Sequence, residues 1–222
     1  MSETLKRFWP LVLLVVLQII FLIWPDIDLW FSGLYFVAPE GFYLADRWPI
    51  RLLDAVFGNL HWVMLLVLPW LWLASLHWAG KGETSLRCRL VFLLIVVVLA
   101  PTVLVSALQT ESGRALPVDV VEFGGQKHFS GAFQPAAECH SDCSFVSRHA
   151  ANGFVLMAFA WVLGARAWMP AAVGLGLLAG LARVAQGEAY LSDVVFAFWV
   201  VYGVCAAAAA WALPKHMKVA IR

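Results

Sequence analysis

Charged side chains are scarce in this chain. They make up 13% of its 222 residues, about half of the roughly 25% that is usual for a soluble domain. The stretch 90–108 has none at all. The net charge is only +1, so no basic field indicates nucleic acid as a partner. The sequence therefore argues against both a soluble globular domain and a nucleic-acid-binding protein.

What the chain does have is long apolar runs. Hydrophobic residues make up 63% of it, and crossing roughly 30 Å of hydrocarbon takes about 20 residues. The predicted spans are 8–25, 59–78, 90–108, 149–165, 169–184 and 192–213. Glycines in the fifth span, Gly174, Gly176 and Gly180, allow neighbouring helices to approach closely. We expect an all-α, polytopic membrane protein in which one bundle of six transmembrane helices occupies 1–222 as a single domain.

Basic residues gather at one set of span ends, which predicts the orientation. If the six spans alternate, one side receives Lys6, Arg7, Lys81, Arg87, Arg89, Arg166, Lys215, Lys218 and Arg222. That side is predicted to be cytoplasmic, with both termini on it, in a bacterial inner membrane. The segments 26–58 and 109–148 then face the periplasm.

Each of the two outer segments has a feature with two interpretations. In 109–148, Cys139 and Cys143 lie where oxidation is permitted, which predicts a loop-closing disulfide. A metal site that also uses His140 is the less favoured alternative, and no other feature indicates a metal or organic cofactor. In 26–58, aspartates are interspersed with aromatic residues, which favours a belt at the level of the lipid head groups over direct substrate contact.

Polar residues stand at the outer ends of the predicted helices. They are Gln109 and Arg114 after the third span, Ser147, Arg148 and His149 at the fourth, Arg183 at the fifth and Asp193 at the sixth. If these ends converge, they offer a phosphate helix N-terminal amides, a serine hydroxyl, guanidinium groups and an imidazole that can transfer a proton. The alternative is an interhelical ion pair between Arg183 and Asp193, with His149 as an interfacial side chain whose hydrogen bonds are satisfied.

The same residues resemble a known family. In order and spacing, the stretches 109–117, 146–149 and 182–193 match the motifs K-x6-R-P, P-S-G-H and S-R-x5-H-x3-D of the type 2 phosphatidic acid phosphatase superfamily. That family includes lipid A and undecaprenyl pyrophosphate phosphatases and shares its core with vanadium haloperoxidases. The resemblance implies the six-helix fold of the family, phosphate-bearing membrane lipids as ligands and no cofactor.

The resemblance also assigns roles to individual residues. It makes Ser147 and Arg183 phosphate ligands, His149 a general acid and Asp193 the acid that orients the nucleophile. We add Arg114 and Arg148 as further phosphate ligands.

Four motif positions depart from the family pattern. The lysine and the first arginine are replaced by Gln109 and Leu116, the glycine by Arg148, and the nucleophilic histidine by Ala189. A methyl group cannot form a phosphohistidine, so the usual covalent route is closed. Arg148 either replaces the lost positive charge and holds a phosphate, or folds onto Asp193 or Glu188 and plugs the site.

Three functions compete. We favour a non-catalytic descendant of a lipid-phosphate phosphatase, which binds lipid head groups or serves as a membrane subunit for a protein partner. The second is an active phosphatase for lipid A, undecaprenyl pyrophosphate or phosphatidic acid that uses a substitute nucleophile or water assisted by His149. The third is an engineered inactive variant of such an enzyme. Transporters and channels rank lower, because no predicted span carries a charge near its midpoint.

Overall fold

The computed structural model describes residues 3–78, 84–165 and 167–213, which are mostly helical. The α-helices are α1 (Glu3–Ile23), α2 (Asp26–Gly33), α3 (Trp48–Trp78), α4 (Thr84–Val97), α5 (Val105–Ser112), α6 (Arg148–Phe154), α7 (Ala158–Leu163), α8 (Trp168–Ala185) and α9 (Leu191–Ala212). Strands β1 (Phe36–Val37) and β2 (Gly41–Phe42) form an antiparallel hairpin after α2. A long loop that contains the 3-10 turns Pro117–Asp119 and Val121–Phe123 leads from α5 to α6.

Four helical runs are long and apolar enough to cross a membrane. They are Trp48–His77, Thr84–Asp119, Trp168–Ala185 and Leu191–Ala212. A fifth is added if Phe8–Ile23 and Asp26–Gly33, which are bent by 83°, form one broken span. The predicted span 149–165 is interrupted, because α6 and α7 are short and a 3-10 turn joins them at Val155–Met157. The described part of the chain therefore holds four or five candidate spans, and the predicted count of six is not confirmed.

The run from α4 to α5 changes its winding in the middle. Val98–Leu104 forms a π-helix around Pro101, whose ring and missing N–H disturb regular α-helical turns. The Thr102 hydroxyl donates to the carbonyl of Val97 at 3.1 Å. At 1.5 Å per residue, 84–112 is about 43 Å long, which is enough to cross a hydrocarbon core of roughly 30 Å.

Small residues bring α8 against its neighbours. A Cβ atom on Gly153 of α6 would lie 2.6 Å from Cα of Gly176, and one on Gly180 would lie 2.4 Å from Cγ1 of Val194 in α9. Gly174 has nothing within 4 Å of its Cβ position, so it does not serve close approach. The helices α6 and α8 therefore meet at the backbone itself, and α8 packs closely on the side chains of α9.

The predicted orientation stays a prediction. The residues Lys81, Arg166, Lys215, Lys218 and Arg222, together with the side chains of Lys6 and Arg7, lie outside the described residues. Of the basic residues on the predicted cytoplasmic side, Arg87 and Arg89 remain, near the start of α4.

Candidate functional site

A pocket of about 300 Å³ opens where the end of α5, the start of α6 and the turn after α8 meet. Its lining residues are Gln109, Leu116, Asp142, Cys143, Ser144, Ser147, Arg148, His149, Arg183 and Glu188. All three motif stretches contribute to this lining. The structure thus brings Ser147, Arg148, His149 and Arg183 together, whereas Arg114, Asp193 and Ala189 do not line the pocket.

Ser147 fixes the start of α6. It is the N-cap residue, and its hydroxyl accepts a hydrogen bond from the amide of Ala150 at 3.4 Å. Its own amide donates to the carbonyl of Asp193 at 3.2 Å, which ties the start of α6 to the start of α9. These two bonds set the positions from which Arg148 and His149 reach the pocket.

One carboxylate connects His149 with Arg183. Asp54 Oδ1, on α3, lies 2.9 Å from His149 Nε2 and 2.8 Å from Arg183 Nη1. Arg183 Nη2 also lies 3.2 Å from Glu188 Oε2. Arg183 therefore pairs with Asp54 and Glu188, and the predicted alternative of an Arg183–Asp193 pair is not formed among the described residues.

His149 is neutral at pH 7. It is the second residue of α6 and lies outside the four candidate spans. Burial, and next the positive charge of Arg183, lower the pKa of His149 to about 4, although Asp54 acts in the opposite direction. A neutral imidazole accepts a proton more readily than it donates one. An anion bound beside it would raise that pKa.

Gly58 makes room for this imidazole. It lies one helical turn after Asp54 on α3, and a Cβ atom at Gly58 would be 2.8 Å from His149 Nε2. A side chain at this position would therefore push the ring away from Asp54.

Arg148 contacts another substituted motif position. Its Nη2 donates to Gln109 Oε1 at 2.7 Å and to Ser106 Oγ at 3.4 Å, and its Nη1 lies 3.8 Å from Asp142 Oδ1. Within the described residues Arg148 forms no ion pair with Asp193 or Glu188, so the predicted plug is not built from those partners. Its closest partner is a neutral amide, and its one ion pair among the described residues is the long contact to the exposed Asp142, which an anion in the pocket can replace.

Arg114 lies elsewhere than the sequence interpretation expected. Only 1% of its side chain is exposed, and it lies in a buried ionic cluster and not in the pocket lining. Its Nη1 donates to Asp193 Oδ1 at 2.7 Å and its Nη2 to Asp28 Oδ2 at 2.8 Å, while its Nε donates to the carbonyl of Ser130 at 2.8 Å. Arg114 is therefore not a phosphate ligand in this arrangement, because its guanidinium is committed to buried partners.

Asp193 belongs to the same buried cluster. Besides Arg114, it accepts hydrogen bonds from the hydroxyl of Ser144 and, at 2.7 Å, from the amide of Tyr190. Asp28 accepts from the amide and hydroxyl of Ser192 at 2.8 and 2.5 Å. The cluster joins α2, the loop after α5 and the start of α9, and through Ser144 it touches the pocket.

Ala189, at the nucleophile position, is 1% exposed and packs in the apolar core. Cys139 and Cys143 form the predicted disulfide, with Cα atoms 5.5 Å apart, in the loop that carries Asp142. No group of three His, Cys, Asp or Glu residues in the described ranges could hold a metal ion.

The sequence analysis interpreted Asp28 and Asp54 as parts of an aromatic belt. It did not identify them as the partners of Arg114 and Arg183. Their alternation with aromatic residues was the visible signal, but their partners Arg114 and Arg183 lie 86 and 129 residues further along the chain. Local patterns cannot show pairs of that separation.

Comparison with known proteins identifies a family and several relatives. Residues 89–217 match the family model of the PAP2 superfamily. The chain is 30% identical over 203 residues to a lipid A 4'-phosphatase of Francisella tularensis subsp. novicida (strain U112), covering 83% of this chain and 88% of that one. It is 31% identical to the lipid A 4'-phosphatases of Rhizobium etli and Rhizobium leguminosarum, covering 79% of this chain and 75% and 83% of theirs. No solved structure matches the chain.

Proposed function

Because the chain belongs to the PAP2 superfamily, we propose that its pocket binds the phosphate group of a membrane lipid and does not hydrolyse it through a phosphohistidine. The named relatives act on lipid A, so a lipid A phosphate is the first candidate ligand. The proposed setting is a bacterial inner membrane, with the pocket at the periplasmic face.

The observation that carries the binding proposal is the pair of guanidinium groups at one cavity. Arg148 is held by the neutral amide of Gln109, and Arg183 is held by Asp54 with a longer contact to Glu188. A phosphate can displace Glu188 and bind both guanidinium groups, with the hydroxyl of Ser147 beside them. Charge-assisted hydrogen bonds of this kind favour an anion over a neutral head group.

The absence of an imidazole at the nucleophile position supports the proposal that the pocket does not hydrolyse the bound lipid through a phosphohistidine. Ala189 offers a methyl group at the nucleophile position. Asp193, whose family role is to orient that nucleophile, already accepts from Arg114, Ser144 and Tyr190. Loss of a nucleophile lowers turnover by several orders of magnitude.

Membrane geometry supports the periplasmic location. Gln109 at the pocket and Arg87 near the start of α4 are 22 residues apart along nearly continuous helix, or about 33 Å. That distance is close to the roughly 30 Å of a hydrocarbon core. Arg87 lies at the end that basic residues predict to be cytoplasmic, so the pocket belongs to the other face.

The test combines binding and turnover on the full chain in lipid nanodiscs. Native mass spectrometry should find bound bis-phosphorylated lipid A, and a phosphate-release assay should find no release above that of empty nanodiscs. Arg148→Gln and Arg183→Gln should each weaken binding by roughly tenfold, since each removes a charge-assisted hydrogen bond. Arg51→Gln is the matched control, because Arg51 forms an exposed pair with Asp46.

A second candidate is an active phosphatase in which His149 assists water. The short contact between His149 Nε2 and Asp54 Oδ1 favours it, since an oriented neutral imidazole can act as a base. Phosphate release by the unmodified chain that disappears in His149→Ala would establish this candidate and exclude the binding proposal. A protein partner retained in the native spectrum would favour the subunit role.

A further inference from the structure

A second cavity lies on the membrane-facing side of the bundle, between α4 and α9. Phe92, Leu93, Val96 and Val97 of α4 are buried in the core, whereas its adjacent face remains open. That face and the small side chains of α9 enclose about 580 Å³, lined by Leu94, Ile95, Val98, Leu99, Val204, Ala207, Ala208 and Trp211. Among the described residues, no charged side chain lines this space.

The apolar groove continues into a polar end. A neighbouring cavity of about 270 Å³ shares Trp211 with it and is also lined by Thr84, Arg87, Cys88, Val91 and Ala212. Arg87 Nη2 donates to the carbonyl of Ser75 at 3.0 Å, but its Nε is buried without a hydrogen-bond partner among the described residues. A buried donor on a charged group is costly when unsatisfied, and an anionic oxygen would satisfy it.

The dimensions of the groove suit one leaflet. Arg87 and Leu99 are 12 residues apart on the helix, or about 18 Å, compared with roughly 15 Å for half of the hydrocarbon core. A transmembrane helix about 10 Å across would need roughly 1,400 Å³ over that length. The two cavities along that length, of about 580 and 270 Å³, together hold about 850 Å³, or roughly three-fifths of that volume, so the groove is too small for a whole helix and fits a slender chain.

We propose that this groove binds one anionic phospholipid of the leaflet opposite the phosphate pocket. One acyl chain lies along 94–99 and Ala208, and the phosphate contacts Arg87 and the hydroxyl of Thr84. Basic side chains between transmembrane helices on the cytoplasmic side attract acidic head groups, which agrees with this choice of lipid. The site is independent of the function proposed above, because it shares no residue with the phosphate pocket.

The first experiment uses the unmodified full chain. Phosphatidylglycerol with a photoreactive diazirine near the end of one acyl chain is incorporated into nanodiscs and activated by light. Mapped crosslinks should concentrate in 94–99 and 204–211. Crosslinks spread evenly over the lipid-facing helices would overturn the proposal.

The second experiment measures lipid preference by native mass spectrometry in mixed phosphatidylglycerol and phosphatidylcholine. It uses Arg148→Gln with Arg183→Gln as the background, so that both guanidinium groups of the phosphate pocket are removed. Adding Arg87→Gln should reduce the preference for phosphatidylglycerol about fivefold, and Ala208→Phe should remove retention by filling the groove. Arg51→Gln should change neither. An unchanged preference in both groove variants, or a second protein copy released by Ala208→Phe, would contradict the proposal.

Discussion

Because Gly58 has no side chain, the imidazole of His149 can lie beside Asp54. Gly58→Ala places a methyl group against His149 Nε2, so the ring should leave Asp54 and the pocket should bind lipid A phosphate roughly tenfold more weakly. The helix itself should not suffer, since alanine favours helix over glycine by about 0.5–1 kcal/mol. Lipid titration in nanodiscs gives the affinity. Gly174→Ala, with open space at its Cβ, is the control and should bind normally.

His149 also makes stability depend on pH. Its pKa falls from 6.5 to about 4 on folding, so between these values the unfolded chain binds a proton that the folded chain does not. The free energy of unfolding should therefore decrease as pH falls from about 6.5 to 4, by up to about 3 kcal/mol. Chemical unfolding in detergent at pH 7 and pH 5 measures this loss. His149→Gln should show a smaller loss, and equal losses in both proteins would contradict the assignment.

The motif residues were predictable because each lies at a fixed spacing from its neighbours. Ser147, Arg148, His149 and Arg183 were named from sequence and line one pocket. Arg114 was placed wrongly by the same reasoning, since nothing local indicates that Asp28 and Asp193 enclose it. A basic residue beside a motif can serve the scaffold instead of the ligand.

At the scale of helices, the Arg114 cluster joins α2 to α9. Arg114→Met should lower the free energy of unfolding by about 3–5 kcal/mol, because it leaves Asp28 and Asp193 buried without a counter-ion. Adding Asp28→Asn should recover part of that loss. Thermal unfolding in detergent compares these variants with Arg51→Met, whose exposed pair should contribute under about 1 kcal/mol. A single variant as stable as the wild type would show that the cluster is not a structural link.

Helix limits were predictable where hydropathy and structure change together. The spans 169–184 and 192–213 are within one residue of α8 and α9 at each end. The second span was placed at 59, yet α3 begins at Trp48, because a helix can extend past the apolar core and carry Arg51 and Asp54 in the interface. Hydropathy detects membrane depth and not the end of a helix.

At the scale of the whole molecule, we predict that the two polar sites lie on opposite faces of the membrane. Ala137→Cys and Thr84→Cys, each in a Cys88→Ser background, place one exposed thiol at each end of the bundle. An impermeant maleimide should label position 137 in intact spheroplasts and position 84 only in inverted vesicles. The expectation follows from the length of 84–112 and from the basic residues around Arg87. Labelling of both positions from the same side would contradict it.

The contact between Gly153 and Gly176 allows residues at the ends of α6 and α8 to change without separating the two helices. The helices that present Arg148 and Arg183 are joined through backbone atoms, well below the residues at their tips. Exchange of a tip residue therefore leaves that joint intact. Such a protein can lose a catalytic activity during evolution and still keep its pocket. The pocket can then evolve to bind another ligand.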